Sequence, residues 1–128
     1  AAMVVPRDIY NRVGGMDERF YMNSEEVDFQ RRLAEAGVPR LLVPQVRVEH
    51  EGGGSSPSAR RRQWLTTARF TYADKWGDKT MLGRTLKATS YANFLVNTVR
   101  AARNKEVNAQ RTLREELAYV KRGENGEN

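Results

Sequence analysis

The 128-residue sequence contains no cysteine. That excludes disulfides, zinc–thiolate centres and a cysteine nucleophile, and it is compatible with a reducing cytoplasm. Histidine occurs once, as His50, so imidazoles cannot cluster within the chain. No apolar run approaches the ~18 residues that a membrane-spanning helix needs. Ala1 to Pro6 lacks the basic leader and long apolar stretch of a signal peptide. There is no P-loop, no Gly-x-Gly-x-x-Gly ahead of a helix, no Asp-x-Asp and no internal repeat.

What the chain does have is positive charge. The net charge is +6 and the isoelectric point is near 10.0, a balance that favours nucleic acid, anionic lipid headgroups or a phosphorylated substrate without choosing among them. With 39% hydrophobic and 30% charged residues, the chain suits one domain, or part of one, with a modest core. It opens without Met in a strand-like run, Ala2-Met3-Val4-Val5, which reads as a piece of something longer.

Pro6 suits the first turn of a helix, and the following helix, Asp8 to Val13, stops at Gly14-Gly15. A second helix is expected from about Ser24 to Ala36, with Asn23 or Ser24 as its cap and Gly37 as its end. Leu41-Leu42-Val43 and Val46-Arg47-Val48 predict two short strands around Pro44. Gly52 to Ser58 reads as a flexible loop. From about Ser58 the spacing is helical: Trp64, Leu65, Ala68 and Tyr72, then Leu82, Leu86, Tyr91, Leu95 and Val99 after a break at Gly77-Asp78, then Leu113, Leu117 and Val120. The polar tail from Gly123 to Asn128 is expected to be disordered. The boundaries expected are therefore 1–57, 58–122 for the basic helical region, and 123–128.

The densest acidic cluster is Glu25-Glu26-Val27-Asp28. On a helix, Glu25 and Asp28 share a face and Glu26 points roughly 100° away. Such a cluster suits general-base work or the binding of a metal or hydroxyls. Acidic first turns also complement the helix dipole, which accounts for the spacing without any function. His50 can offer a neutral imidazole to a metal or a phosphate, although a lone histidine is more often structural. Gly52-Gly53-Gly54-Ser55-Ser56 could wrap backbone N–H groups around a phosphate or serve simply as a linker. Arg60-Arg61-Arg62 heads a basic second half that fits either a solvated face or an anionic surface.

The order of these pieces is more specific than any one of them. Gly14-Gly15-Met16-Asp17-Glu18-Arg19-Phe20-Tyr21 resembles the Gly-Gly-Phe-Asp-Glu-x-Phe-Phe segment of family 2 glycosyltransferases, particularly rhamnosyltransferase-like members. Glu25-Glu26-Val27-Asp28-Phe29 with Arg32 is similar to the family's Glu-Asp-Val-Asp-Leu-x-x-Arg helix. Gly37, Val43-Pro44, Val48-Glu49-His50, Gly53 and Ser55 follow in the family's order, and Arg69-Phe70 with Lys75-Trp76-Gly77 resembles its C-terminal helical segment. The likeness covers about residues 1–80.

The resemblance implies an α/β architecture: a partial GT-A-like acceptor-side half of a sheet, followed by a C-terminal helical extension. It implies an inverting transfer of a hexose such as rhamnose from a nucleotide-sugar donor to a lipid-linked or glycan acceptor in cell-envelope polysaccharide synthesis. Glu26 stands where the family has its general base, one methylene longer than the usual Asp. Glu25, Asp28, Asp17 and Arg32 would orient it or bind the acceptor. His50 would complete a Mn or Mg site with the Asp-x-Asp motif of a nucleotide-binding half that this chain does not contain, so the chain alone is expected to be inactive. The implied setting is cytoplasmic, peripheral to the inner face of the plasma membrane, with self-association through an incomplete sheet and with nucleic acid unlikely. The competing reading, from charge alone, is a non-enzymatic basic helical module that binds nucleic acid or an anionic membrane.

Overall fold

The computed structural model describes residues 3–49 and 58–127, with side chains of the second segment from Arg60 onward. The described residues form α1 (Arg7–Arg12), α2 (Glu25–Glu35), α3 (Ser58–Trp76), α4 (Lys79–Ala101) and α5 (Ala109–Asn125). The expected α/β arrangement is not found: among the described residues there is no strand and no sheet. Residues 3–5 and 38–49 are free of regular structure apart from a turn closed by Val46 N–H to the Val43 carbonyl at 3.2 Å. A strand exists only through hydrogen bonds to a neighbouring strand, and neither segment has one here. Leu41, Leu42, Val46 and Val48 consequently stay exposed.

The helices form close to where their stop signals lie. Gly14, Gly15 and Gly37 all adopt positive φ, the left-handed conformation that ends a helix at least cost in glycine. Gly15 has a second reason to be glycine, because a Cβ there would lie 2.9 Å from the Tyr10 ring. The start of α2 departs from expectation. Ser24 makes no capping hydrogen bond, and both Asn23 (φ 71°) and Ser24 (φ 66°) are left-handed. By contrast, Asp78 and Asn108 cap α4 and α5 in the ordinary way, accepting from Met81 N–H and Arg111 N–H.

The core of the C-terminal three helices turns on Phe70 of α3. Its ring is buried against Gly123 of α5 and lies 3.6 Å from where a Cβ on Gly83 of α4 would stand. Gly123 is the notch that admits the aromatic wedge, since a Cβ there would overlap the ring, whereas one on Gly83 would only touch it. Gly123 is therefore buried packing, and the tail expected to be disordered from that residue is helical as far as Asn125. Asn93 Nδ2 to Glu116 Oε1 (2.6 Å) and Arg122 Nη1 to Gln63 Oε1 (2.9 Å) tie α5 to its neighbours. A smaller core under α2 holds Phe29, tilted against Tyr10 at 5.4 Å, together with Leu33.

Candidate functional site

The first turn of α2 divides its acids. Asp28 faces inward and is fully buried, whereas Glu26 is exposed and makes no ion pair or hydrogen bond with another described residue. Glu25 is half-buried, and its Oε2 is buried without a hydrogen-bond partner. The helical rotation of about 100° per residue produces this division directly.

Around Asp28 the chain builds a dense ionic knot. Its Oδ1 accepts from Trp76 Nε1 at 2.6 Å and lies 2.7 Å from Lys75 Nζ. Its Oδ2 accepts from Arg32 Nε at 2.9 Å. Lys75 Nζ also donates to Asp17 Oδ2 at 2.6 Å, and Arg19 Nη2 reaches the same oxygen at 2.7 Å. Arg32 Nη1 donates to the Val13 carbonyl at 2.5 Å. Arg31 lays its guanidinium over the Trp76 ring at 4.4 Å and donates to the Tyr72 hydroxyl at 3.3 Å. Two carboxylates thus share one ammonium, with an arginine on the far side of each. The knot clamps the Val13–Arg19 loop and α2 onto the end of α3.

Asp17 and Asp28 are both held below the ordinary carboxylate range. For Asp17 the main cause is the hydrogen-bonded Arg19, which together with Lys75 outweighs partial burial. For Asp28 burial alone would raise the value, but the hydrogen bonds from Lys75, Trp76 and Arg32 more than offset it. Both groups bind protons more weakly folded than unfolded, so their contribution to stability is complete above the unfolded value of about 4 and is lost as pH falls below it. Thermal melts between about pH 6 and pH 2 should show the midpoint falling only at the acidic end, and less steeply in Asp17→Asn than in the parent chain.

The residues expected at the site are placed unequally. Asp17, Asp28 and Arg32 meet in the knot, Glu25 borders it and Glu26 stands apart at the surface. His50 and the Gly52–Ser56 run lie outside the described residues. Lys75 and Trp76, whose sequence likeness to the C-terminal helical segment names no site role, are the partners that neutralise and bury Asp28. Among the described residues no three His, Asp or Glu side chains converge as a cation cage. Asp17 and Asp28 are already matched by Lys75, Arg19 and Arg32, so these residues do not fit a divalent cation.

The loop leading into α2 also lines a shallow depression with α3. Tyr21 and Trp64 form a tilted pair with centroids 5.4 Å apart, and the Arg60 guanidinium lies 5.6 Å from the Trp64 ring. Arg19, Met22, Thr67, Ala68 and Thr71 complete the lining. The hydroxyls of Thr67 and Thr71 donate to the backbone carbonyls of Glu127 and Thr67, which leaves their oxygen lone pairs as acceptors. Three residues separate Met22 from Glu26 in the chain.

Two curated proteins are similar to part of this chain. Both are described as N-acetylglucosaminyl-diphospho-decaprenol L-rhamnosyltransferase, from Mycobacterium tuberculosis strains CDC 1551 / Oshkosh and ATCC 25618 / H37Rv. Each is 38% identical over 56 residues, which is 44% of this chain and 18% of the relative. The chain thus matches under a fifth of the length of these relatives, and the similarity supports a glycosyltransferase-like relationship. No family model matches the chain. No solved structure gives a significant match.

Proposed function

We propose that this chain supplies the acceptor side of a glycosyltransferase active site, with Glu26 as the general base. The observation that carries the reading is the division of the α2 acids. Asp28 is consumed by structure, while Glu26 projects from the same turn into solvent with no partner among the described residues. The likeness to rhamnosyltransferases supports the choice of sugar chemistry over other base-catalysed reactions.

In this reading the acceptor sugar lies on the open surface around Tyr21 and Trp64, whose aromatic faces suit contact with a sugar ring. The Glu26 carboxylate takes the proton from the acceptor hydroxyl as that oxygen attacks the anomeric carbon of the donor. The bond from that carbon to the nucleoside diphosphate breaks, the diphosphate leaves with the electron pair, and the configuration inverts. The knot keeps the first turn of α2 in place. The donor sugar and the diphosphate require residues beyond those described, and no step is assigned to them.

The proposed acceptor class is the one in the relatives' name, a sugar on a polyprenyl diphosphate. The test joins this chain to the nucleotide-binding part of the mycobacterial relative and supplies an L-rhamnose nucleotide donor and an N-acetylglucosaminyl-diphospho-polyprenol acceptor. Formation of the disaccharide-linked lipid is the expected result. A folded chimera that binds donor but forms no product with this or any related glycan acceptor removes the reading.

A further inference from the structure

The helix α4 carries apolar residues on two sides: half-buried Leu82, Leu86 and Phe94 face inward, and a second set faces outward. Its buried residues are Gly83, Ser90 and Asn97, one every seven positions and therefore on one line. At about 100° per residue, Met81, Ala88, Ala92, Leu95, Val96 and Val99 occupy an arc of roughly 100° on the opposite side. That arc faces solvent: Leu95 is 67% exposed and Val99 66%. At Gly83 a Cβ would lie 2.5 Å from Glu124 Oε1, so the bare backbone leaves room for the Lys87–Glu124 pair beside it.

The charges on α4 all carry one sign. From Lys79 to Ala101 there is no Asp or Glu. Lys79 and Lys87 are satisfied within the chain, by Asp74 at 3.8 Å and Glu124 at 2.7 Å. Arg84 flanks one edge of the apolar arc, and Arg100 with Arg103 flanks the other end. None of these three arginines forms an ion pair with another described residue. Tyr91 lies on the Arg84 side, where an aromatic residue with a polar tip suits an interface. No helix of the described residues is long and apolar enough to cross a membrane.

We infer that α4 lies flat on an anionic lipid surface, with its Leu95–Val99 arc entering the headgroup boundary and Arg84, Arg100 and Arg103 meeting lipid phosphates. An apolar stripe edged by unmatched cations is the pattern that lipid surfaces complement. A second copy of the chain fits less well, because facing α4 helices would set arginine against arginine with no acid between them. Nucleic acid would engage the arginines but leaves the apolar arc unused. The surface is independent of the transfer chemistry, and its test needs neither donor nor acceptor, so its failure leaves the transferase reading standing.

The absence of cysteine makes the test direct. Val99→Cys on α4 and Glu35→Cys on α2 each give a single attachment point for an environment-sensitive fluorophore. On phosphatidylcholine vesicles doped with phosphatidylglycerol, the label at position 99 shifts to the blue and the label at 35 does not. Undoped vesicles give no shift. In co-sedimentation of the full chain, each arginine changed to serine weakens partitioning about fivefold, so the triple change at 84, 100 and 103 weakens it on the order of a hundredfold. Raising salt weakens it as well. Circular dichroism confirms that these exposed changes leave the helices intact. The inference is overturned by equal shifts at both labels, by no binding to doped vesicles, by binding that survives the triple change, or by a dimer that dissociates in Leu95→Asp. Tighter binding to a DNA duplex than to doped vesicles at the same salt overturns it too.

Discussion

Asp28→Ala is expected to lower the free energy of unfolding by about 3–5 kcal/mol, a large part of the total for a domain of this size. Asp28 is fully buried between Lys75, Arg32 and the Trp76 indole, and removing it strands two cations at the α2–α3 junction. Lys75 keeps Asp17 at 2.6 Å and is 17% exposed, which limits the damage on its side. Arg32 keeps the Val13 carbonyl but loses its only carboxylate partner among the described residues. Urea titration reads the loss as a lower midpoint. Asp28→Asn separates charge from shape: the amide oxygen can still accept from Trp76, so any loss beyond that hydrogen bond belongs to the unpaired cations. The double variant Asp28→Leu with Lys75→Met should cost less than the sum of its two singles, because an apolar pair leaves neither charge buried alone. If Asp28→Ala unfolds within about 0.5 kcal/mol of the parent, the knot contributes no stability and Asp28 is free for another task.

The difficulty of reading Asp28 from sequence shows where local information ends. Its helix was legible: Gly37 marks the stop, and α2 lies where the expected span from about Ser24 to Ala36 puts it. The three C-terminal helices were legible for the same reason, since their period and the Gly77-Asp78 break are local signals. The role of Asp28 depends on Lys75 and Trp76, which arrive from 47 and 48 residues away. Nothing within α2 distinguishes an acid that will be neutralised from one that will stay in solvent. The same limit applies to the apolar runs at 41–43 and 46–48. Their composition suits strands, but a strand also needs a partner, and composition does not supply one. Gly123 misled in the opposite direction. A glycine in a polar tail reads as flexibility, yet here the missing Cβ makes room for Phe70. Only the pairing of Arg32 with Asp28, four positions apart, follows from helical spacing alone.

Glu26→Gln is expected to lower the rate of sugar transfer by roughly a hundredfold to ten-thousandfold in the reconstituted enzyme, the usual contribution of a positioned general base. The same change should leave stability within about 0.5 kcal/mol, because Glu26 is exposed and no described residue depends on it. Asp28→Asn should show the reverse: lower stability, and a transfer rate that recovers at temperatures where the protein remains folded. These opposite outcomes assign different tasks to acids two residues apart. A glutamine keeps the size and hydrogen-bonding reach of the side chain, so binding of the acceptor, read as KM, should change little while kcat falls. Glu26→Asp shortens the reach by one methylene and restores the residue type that the resembled family carries, so it should retain much of the activity that Glu26→Gln loses. If Glu26→Gln transfers sugar at the parent rate while Glu25→Gln does not, the base is Glu25, whose half-buried carboxylate has one buried oxygen still without a partner.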